Sequence, residues 1–97
     1  MNIGVCKIKL HLPGNHSLKG KRQVLKSITT RVRNNYNVVI AEVDDQDLWQ
    51  VATLGVACIS NDGQQVNQVL SKVVEFINRS KFEVEILDSQ IEIIPFF

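Results

Sequence analysis

Four cations in one short stretch define the chemistry most open to this sequence. Lys19, Arg22, Lys26 and Arg33 fall within roughly 60° of one another when drawn at about 100° per residue of helix. Such a stripe suits a polyanion backbone, because each neutralised phosphate releases condensed counterions. A solvated helix flank would look similar, but exposed helices ordinarily mix charge signs, and no acid occurs anywhere between Met1 and Ile40. That segment carries eight lysines and arginines, whereas residues 41–97 carry three against all ten acids. A net charge of +1 therefore hides a split of +8 and −7. Charge divided between halves signals polyanion binding or complementary association. Internal neutralisation between neighbouring elements is the plainer alternative.

Other residues with chemical potential cluster nearby in sequence. The loop Pro13-Gly14-Asn15-His16-Ser17 leads into the same helix, with Lys21 and Arg22 close behind. The free N–H groups of a helix N-terminus favour anions, yet neither GxxxxGK[ST] nor GxGxxG is present to support a nucleotide site. Ser17 reads more simply as an N-cap. Asp44, Asp45 and Asp47 precede Trp49. Their spacing fits no calcium loop, and aspartate is a common turn residue because its side chain bonds to the backbone. Trp49 offers either a ring on which a base can stack or a roof for one end of the core. Cys6 and Cys58 make neither a disulfide framework nor a zinc set, and read as small buried residues. No Ser–His–Asp or Cys–His arrangement supports nucleophilic catalysis. The expectation is a protein that is not an enzyme and needs neither cofactor nor metal.

The elements that position these residues follow from periodicity. Residues 3–12 alternate, with Cys6, Ile8, Leu10 and Leu12 on one face and Val5, Lys7, Lys9 and His11 on the other, which reads as a half-buried strand. After the break at Pro13-Gly14 a helix runs from the Ser17 cap to about Asn34, burying Val24, Leu25, Ile28 and Val32. A short β-branched strand, Asn37–Asp45, is expected to turn Val39, Ala41 and Val43 inward. Across a polar turn a third strand, Trp49–Ser60, completes a hairpin. Asp62, with Gln65 three residues on, resembles a capping box for a second helix with a stripe from Val66 to Ile77. Phe82–Phe97 forms the last strand, bulged around Asp88-Ser89-Gln90.

The order βαββαβ is the split-βαβ pattern of ferredoxin-like folds. The expectation is one α+β domain over residues 1–97, with an antiparallel sheet ordered 4-1-3-2 and two helices on one face. Its core should include Ile8, Leu10, Leu25, Ile28, Val39, Val56, Val69, Val73 and Ile86. The Pro13–Arg22 loop, the Asp44–Trp49 hairpin and the Asn78–Lys81 turn then share one end. The open sheet face shows Lys7, Lys9, His11, Thr53, Gly55 and Ala57 and no aromatic ring, which disfavours base stacking in the manner of RRM domains. Val38, Ile40 and Ala57 suit a second sheet there instead, and Glu83 and Glu85 are placed to pair with Lys7 and Lys9 across strands. So short a chain buries a modest core, which favours a homodimer. The apolar start contains lysines and no cleavage-like small residues, and no run reaches membrane-spanning length. A soluble, cytoplasmic protein is expected.

The stretches SLKGKRQVLKS (Ser17–Ser27), NVVIAEVDDQDLWQ (Asn37–Gln50) and LGVACIS (Leu54–Ser60) are similar to the YlxP family of small bacterial proteins of unknown function, and the resemblance spans essentially the whole chain. It implies the ferredoxin-like fold. Family genes commonly neighbour those of transcription and translation factors, which implies ribosomal RNA or the small ribosomal subunit as a partner. No activity or catalytic residue is implied. Family members often carry arginine after the Trp-Gln pair, where this chain has Val51, so the hairpin makes a weaker basic contact. The leading expectation is an RNA-binding accessory protein. Lys19, Lys21, Arg22, Lys26 and Arg33 would contact phosphates, with His16 and Trp49 touching bases. The rival is an interaction module that dimerises through its open sheet face without a nucleic-acid role.

Overall fold

A computed structural model describes residues 1–97. Six elements follow one another: β1 (Asn2–His11), α1 (Leu18–Asn35), β2 (Val39–Asp44), β3 (Val51–Ser60), α2 (Gly63–Arg79) and β4 (Glu85–Pro95). The sheet is wholly antiparallel with the order β2-β3-β1-β4, the expected ferredoxin-like arrangement read from its other edge. β2 and β3 form a hairpin, whereas β1 has β3 and β4 as its neighbours because each helix carries the chain across the sheet. Both helices contribute to one core cluster with the even-numbered residues of β1 (Cys6, Ile8 and Leu10), so they cover a single face.

Local chemistry sets the helix ends. Ser17 accepts from the Gly20 amide and caps α1, while Asp62 accepts from the Gln64 amide and caps α2, each satisfying one orphan N–H. The second cap is not a direct capping box. Gln65 Oε1 instead accepts from Ser60 Oγ, which itself accepts from the Asp62 amide. A hydroxyl thus relays the bond that Gln65 was expected to make.

β2 reverses its expected orientation. Ile40 pairs with Val56 and is buried, whereas Val39 pairs with Ala57 and is 73% exposed. Val39 is therefore corrected out of the core and Ile40 out of the open face, since a one-residue slip turns every side chain over. Val69 and Ile86 are half-buried, Ile86 packing against the core, and the other six expected core residues are buried. The bulge in β4 falls at Leu87, between the pairs Lys9–Asp88 and Leu10–Ile86. This shifts the cross-strand neighbours: Gln90 stands opposite Lys7, Asp88 opposite Lys9, and Glu85 opposite His11. Neither Glu83 nor Glu85 pairs with those lysines.

Gly4 marks the tightest approach of α2 to the sheet. A Cβ there would overlap Val66 Cγ1 and lie 2.8 Å from Leu70 Cδ1. We expect Gly4→Ala to lower stability by about 1–3 kcal/mol through overpacking. The loss should shrink in a Val66→Ala background, where the overlapping methyls are gone, and urea denaturation of the four proteins of this cycle checks the coupling.

Candidate nucleic-acid interface

The loop after β1, the β2–β3 hairpin and the turn before β4 gather at one end of the sheet, as the topology dictates. Hydrogen bonds lock the first two together. Asn15 Nδ2 donates to the carbonyls of Ser17 and Trp49, and Gln50 Nε2 donates to the Asn15 carbonyl. The Leu12 amide donates to the Gln50 carbonyl. The α1 N-terminus is thus held against the hairpin by groups 34 and 35 residues apart in the chain.

Lys21 completes this junction, and it is not a phosphate ligand. It is buried, and its Nζ donates to the carbonyls of Asp45 (2.6 Å) and Leu48 (2.8 Å) while lying 2.8 Å from Glu42 Oε2. Two carbonyls accept its hydrogen bonds and the Glu42 carboxylate opposes its charge, although Glu42 Oε2 is buried and makes no hydrogen bond of its own, so the ammonium group is enclosed by the fold rather than offered to an external anion. Lys21 is corrected from a surface contact to an internal staple, and its partner Glu42 is a residue the sequence reading did not single out.

The remaining cations of α1 stay on the surface. Lys19, Arg22, Lys26 and Arg33 are exposed, and none has a carboxylate within 4 Å. Of the eight lysines and arginines before residue 41, only Lys21 is in an ion pair, so internal neutralisation accounts for little of the charge split. Arg22, Lys26 and Arg33 line a shallow groove of about 330 Å³ between α1 and the edge strand β2, with Thr29 beside them and Leu25, Ala41 and Leu54 forming an apolar floor. Glu42 also lines this groove, its charge opposed by Lys21. Arg33 Nη2 donates to the Ile40 carbonyl at 3.1 Å, which fixes the guanidinium over the strand edge. From Lys19 to Arg33 the stripe runs about 21 Å along the helix axis.

His16 and Trp49 lie at the end shared by the loop and the hairpin, and both side chains are exposed. Trp49 is 54% exposed and lies outside the core cluster, so it does not roof the core. The aspartates of the hairpin serve the turn. Asp44 Oδ1 accepts from the Asp45 amide, and Asp45 Oδ2 accepts from Thr53 Oγ1 at 2.6 Å. Asp45 itself adopts a positive φ of 61°, a conformation that Asp tolerates better than most residues.

Cys6 and Cys58 both face the helices and remain free thiols. Burial pushes Cys6 up to about 11 and raises Cys58 as well, so both are neutral near pH 7 and poor nucleophiles. No cluster of three or more His, Cys, Asp or Glu side chains with metal-binding geometry is present, and no helix is long and apolar enough to cross a membrane.

Comparison with known proteins agrees with the sequence resemblance. A Bacillus subtilis (strain 168) protein described as uncharacterized protein YlxP is 47% identical over 76 residues, covering 78% of this chain and 83% of its own length. Among solved structures, the de novo designed protein Ferredog-Diesel aligns over 95% of this chain and 84% of its own, with 13% identity and a TM-score of 0.44. Residues 3–91 match the model of DUF503, described as a protein family of unknown function; the chain belongs to that family.

Proposed function

We infer that this protein binds RNA through the outer flank of α1 and acts as a non-enzymatic accessory factor. One observation carries the reading: four cations share one helix flank about 21 Å long, and none is neutralised by a carboxylate of the fold. Retaining four uncompensated charges at such spacing disfavours the folded state by mutual repulsion, which a polyanion would relieve. Lys19, Arg22, Lys26 and Arg33 would contact phosphates, and the apolar floor of the groove would admit the face of an unstacked nucleotide. His16 and Trp49 would meet bases at the adjoining end. Phosphate contacts position the chain without reading sequence, so selectivity would come from RNA shape or from that end. The YlxP resemblance directs the choice of target to small-subunit ribosomal RNA.

Titration of that RNA across a salt series tests the proposal. Four phosphate contacts on a single strand give a slope of log K against log [salt] near −3, or about a fiftyfold loss between 50 and 200 mM salt. Arg22→Gln should reduce the slope by roughly 1. Absence of binding at low salt would remove the reading.

A further inference from the structure

We propose that Glu42 reads the base of an unpaired nucleotide seated in the groove between α1 and β2. It accepts from an exocyclic amine, such as that of cytosine, and rejects the carbonyl that uracil carries at the same ring position. The inference rests on the RNA-binding reading of this groove and names the kind of base the groove selects. Glu42 is the one acid lining a groove whose rim is cationic, and a carboxylate repels phosphate oxygens at short range. An RNA backbone is therefore kept to the α1 rim, and the part of a nucleotide that reaches Glu42 must be able to donate a hydrogen bond. The apolar floor suits the flat face of a base, and a volume of about 330 Å³ lies at the small end of ligand-sized clefts.

The fold commits one oxygen of this carboxylate and leaves the other. Lys21 Nζ lies 2.8 Å from Oε2, which is enclosed, whereas the Glu42 side chain as a whole keeps 24% of its surface exposed. A carboxylate has acceptor sites on both oxygens, and a counter-charge for Lys21 requires only Oε2. The ion pair thus pins the group in place and leaves Oε1 to a ligand. Arg33 sits on the same strand edge. Its Nη2 donates to the Ile40 carbonyl at 3.1 Å, two residues before Glu42 and about 6.7 Å away along the strand. A guanidinium has further N–H donors, so a phosphate taken by those leaves its own base within reach of Glu42.

Cytosine and uracil make the sharpest comparison, because their rings are the same size and differ on this edge. Unpaired bases in single-stranded RNA are read on that edge. The cytosine amine donates to a carboxylate. The uracil carbonyl desolvates Oε1 without bonding to it, which costs binding energy. Phosphate contacts are the same for both, so the difference belongs to the base alone.

Titration of the full chain at low salt with single-stranded RNA octamers, one of cytidine and one of uridine, tests the assignment. Wild type should bind the cytidine octamer about fivefold more tightly or better. Glu42→Gln should bring the two within about twofold, because an amide donates to the uracil carbonyl as readily as it accepts from the cytosine amine. A purely structural role for Glu42 would weaken both octamers and keep their ratio, and that result would overturn the proposal. An octamer of cytidine dimethylated on its amine decides on the wild-type protein if the variant fails to fold. It should bind no better than the uridine octamer, and binding equal to cytidine would overturn the proposal. Equal binding of cytidine and uridine by wild type would also overturn it while leaving RNA binding in place, and would direct Glu42 to a ribose hydroxyl. If neither octamer binds, the RNA-binding reading fails and this inference with it. Arg22→Gln should weaken both octamers alike, since a phosphate contact carries no base preference, and a lost preference there would overturn the assignment to Glu42.

Discussion

Replacing Lys21 with methionine should lower the free energy of unfolding by about 3–5 kcal/mol, the cost of breaking a buried ion pair by removing one partner. Such a loss would be a large share of the roughly 5–15 kcal/mol that holds a small domain together. The reason lies in what the substitution strands. Glu42 Oε2 loses its only near cation, and the carbonyls of Asp45 and Leu48 lose the donor that ties the hairpin to α1. Methionine fills the lysine stem's space, so the loss reports polar contacts rather than a cavity. Glu42→Gln should cost less, because Nζ keeps its two carbonyl acceptors, and Lys21→Met should cost less in that background than in wild type. Urea denaturation of the four proteins measures this coupling. A Lys21→Met midpoint within about 0.5 kcal/mol of wild type would show that Lys21 is not a staple. Amide exchange should quicken first at Leu48 and Leu12, whose N–H groups bond to Asp45 and Gln50 within the same junction.

The second large effect falls on binding rather than stability. Arg22→Glu combined with Lys26→Glu should weaken RNA binding roughly a hundredfold or more at low salt, since each reversal removes a phosphate contact and adds a repulsion beside it. Both side chains are exposed and without an ion-pair partner, so the double variant should keep the wild-type denaturation midpoint. Lys72→Glu supplies the control. Lys72 lies on the exposed side of α2, outside the groove beside β2, and its reversal should leave binding nearly unchanged. Equal losses from Lys72→Glu and from the α1 pair would reduce the interaction to general charge attraction. Binding by the α1 double variant equal to wild type would exclude the stripe.

Much of this fold was legible because its signals are local. The alternation of β1, the caps at Ser17 and Asp62, and the two helical stripes depend on residues a few positions apart, and all appear where periodicity places them. The burial of Lys21 was legible too. At about 100° per residue it falls on the same side of α1 as Leu25, Ile28 and Val32, the other buried positions of that helix, and well away from the surface stripe. A charged side chain discouraged that reading, although a lysine can occupy a buried position when carbonyl acceptors and an opposed carboxylate receive it.

Those acceptors were decided only by tertiary structure. Glu42 lies 21 residues from Lys21 in the sequence, and the hairpin carbonyls lie 24 and 27 residues away, so no local pattern names them. The orientation of β2 was undetermined for a related reason. Val38 and Ile40 on one parity, and Val39 and Val43 on the other, are all apolar, and alternation cannot choose between two apolar faces. Pairing with β3 made the choice by setting Ile40 opposite Val56 under the helices. The same pairing exposed Val39 beside Ala57 and so created the bare apolar end of the open face. Sequence periodicity specified the elements and their amphipathic stripes, because those depend on near neighbours. Strand register and long-range closure decided which polar groups meet and which apolar face remains uncovered, because those depend on partners distant in the chain.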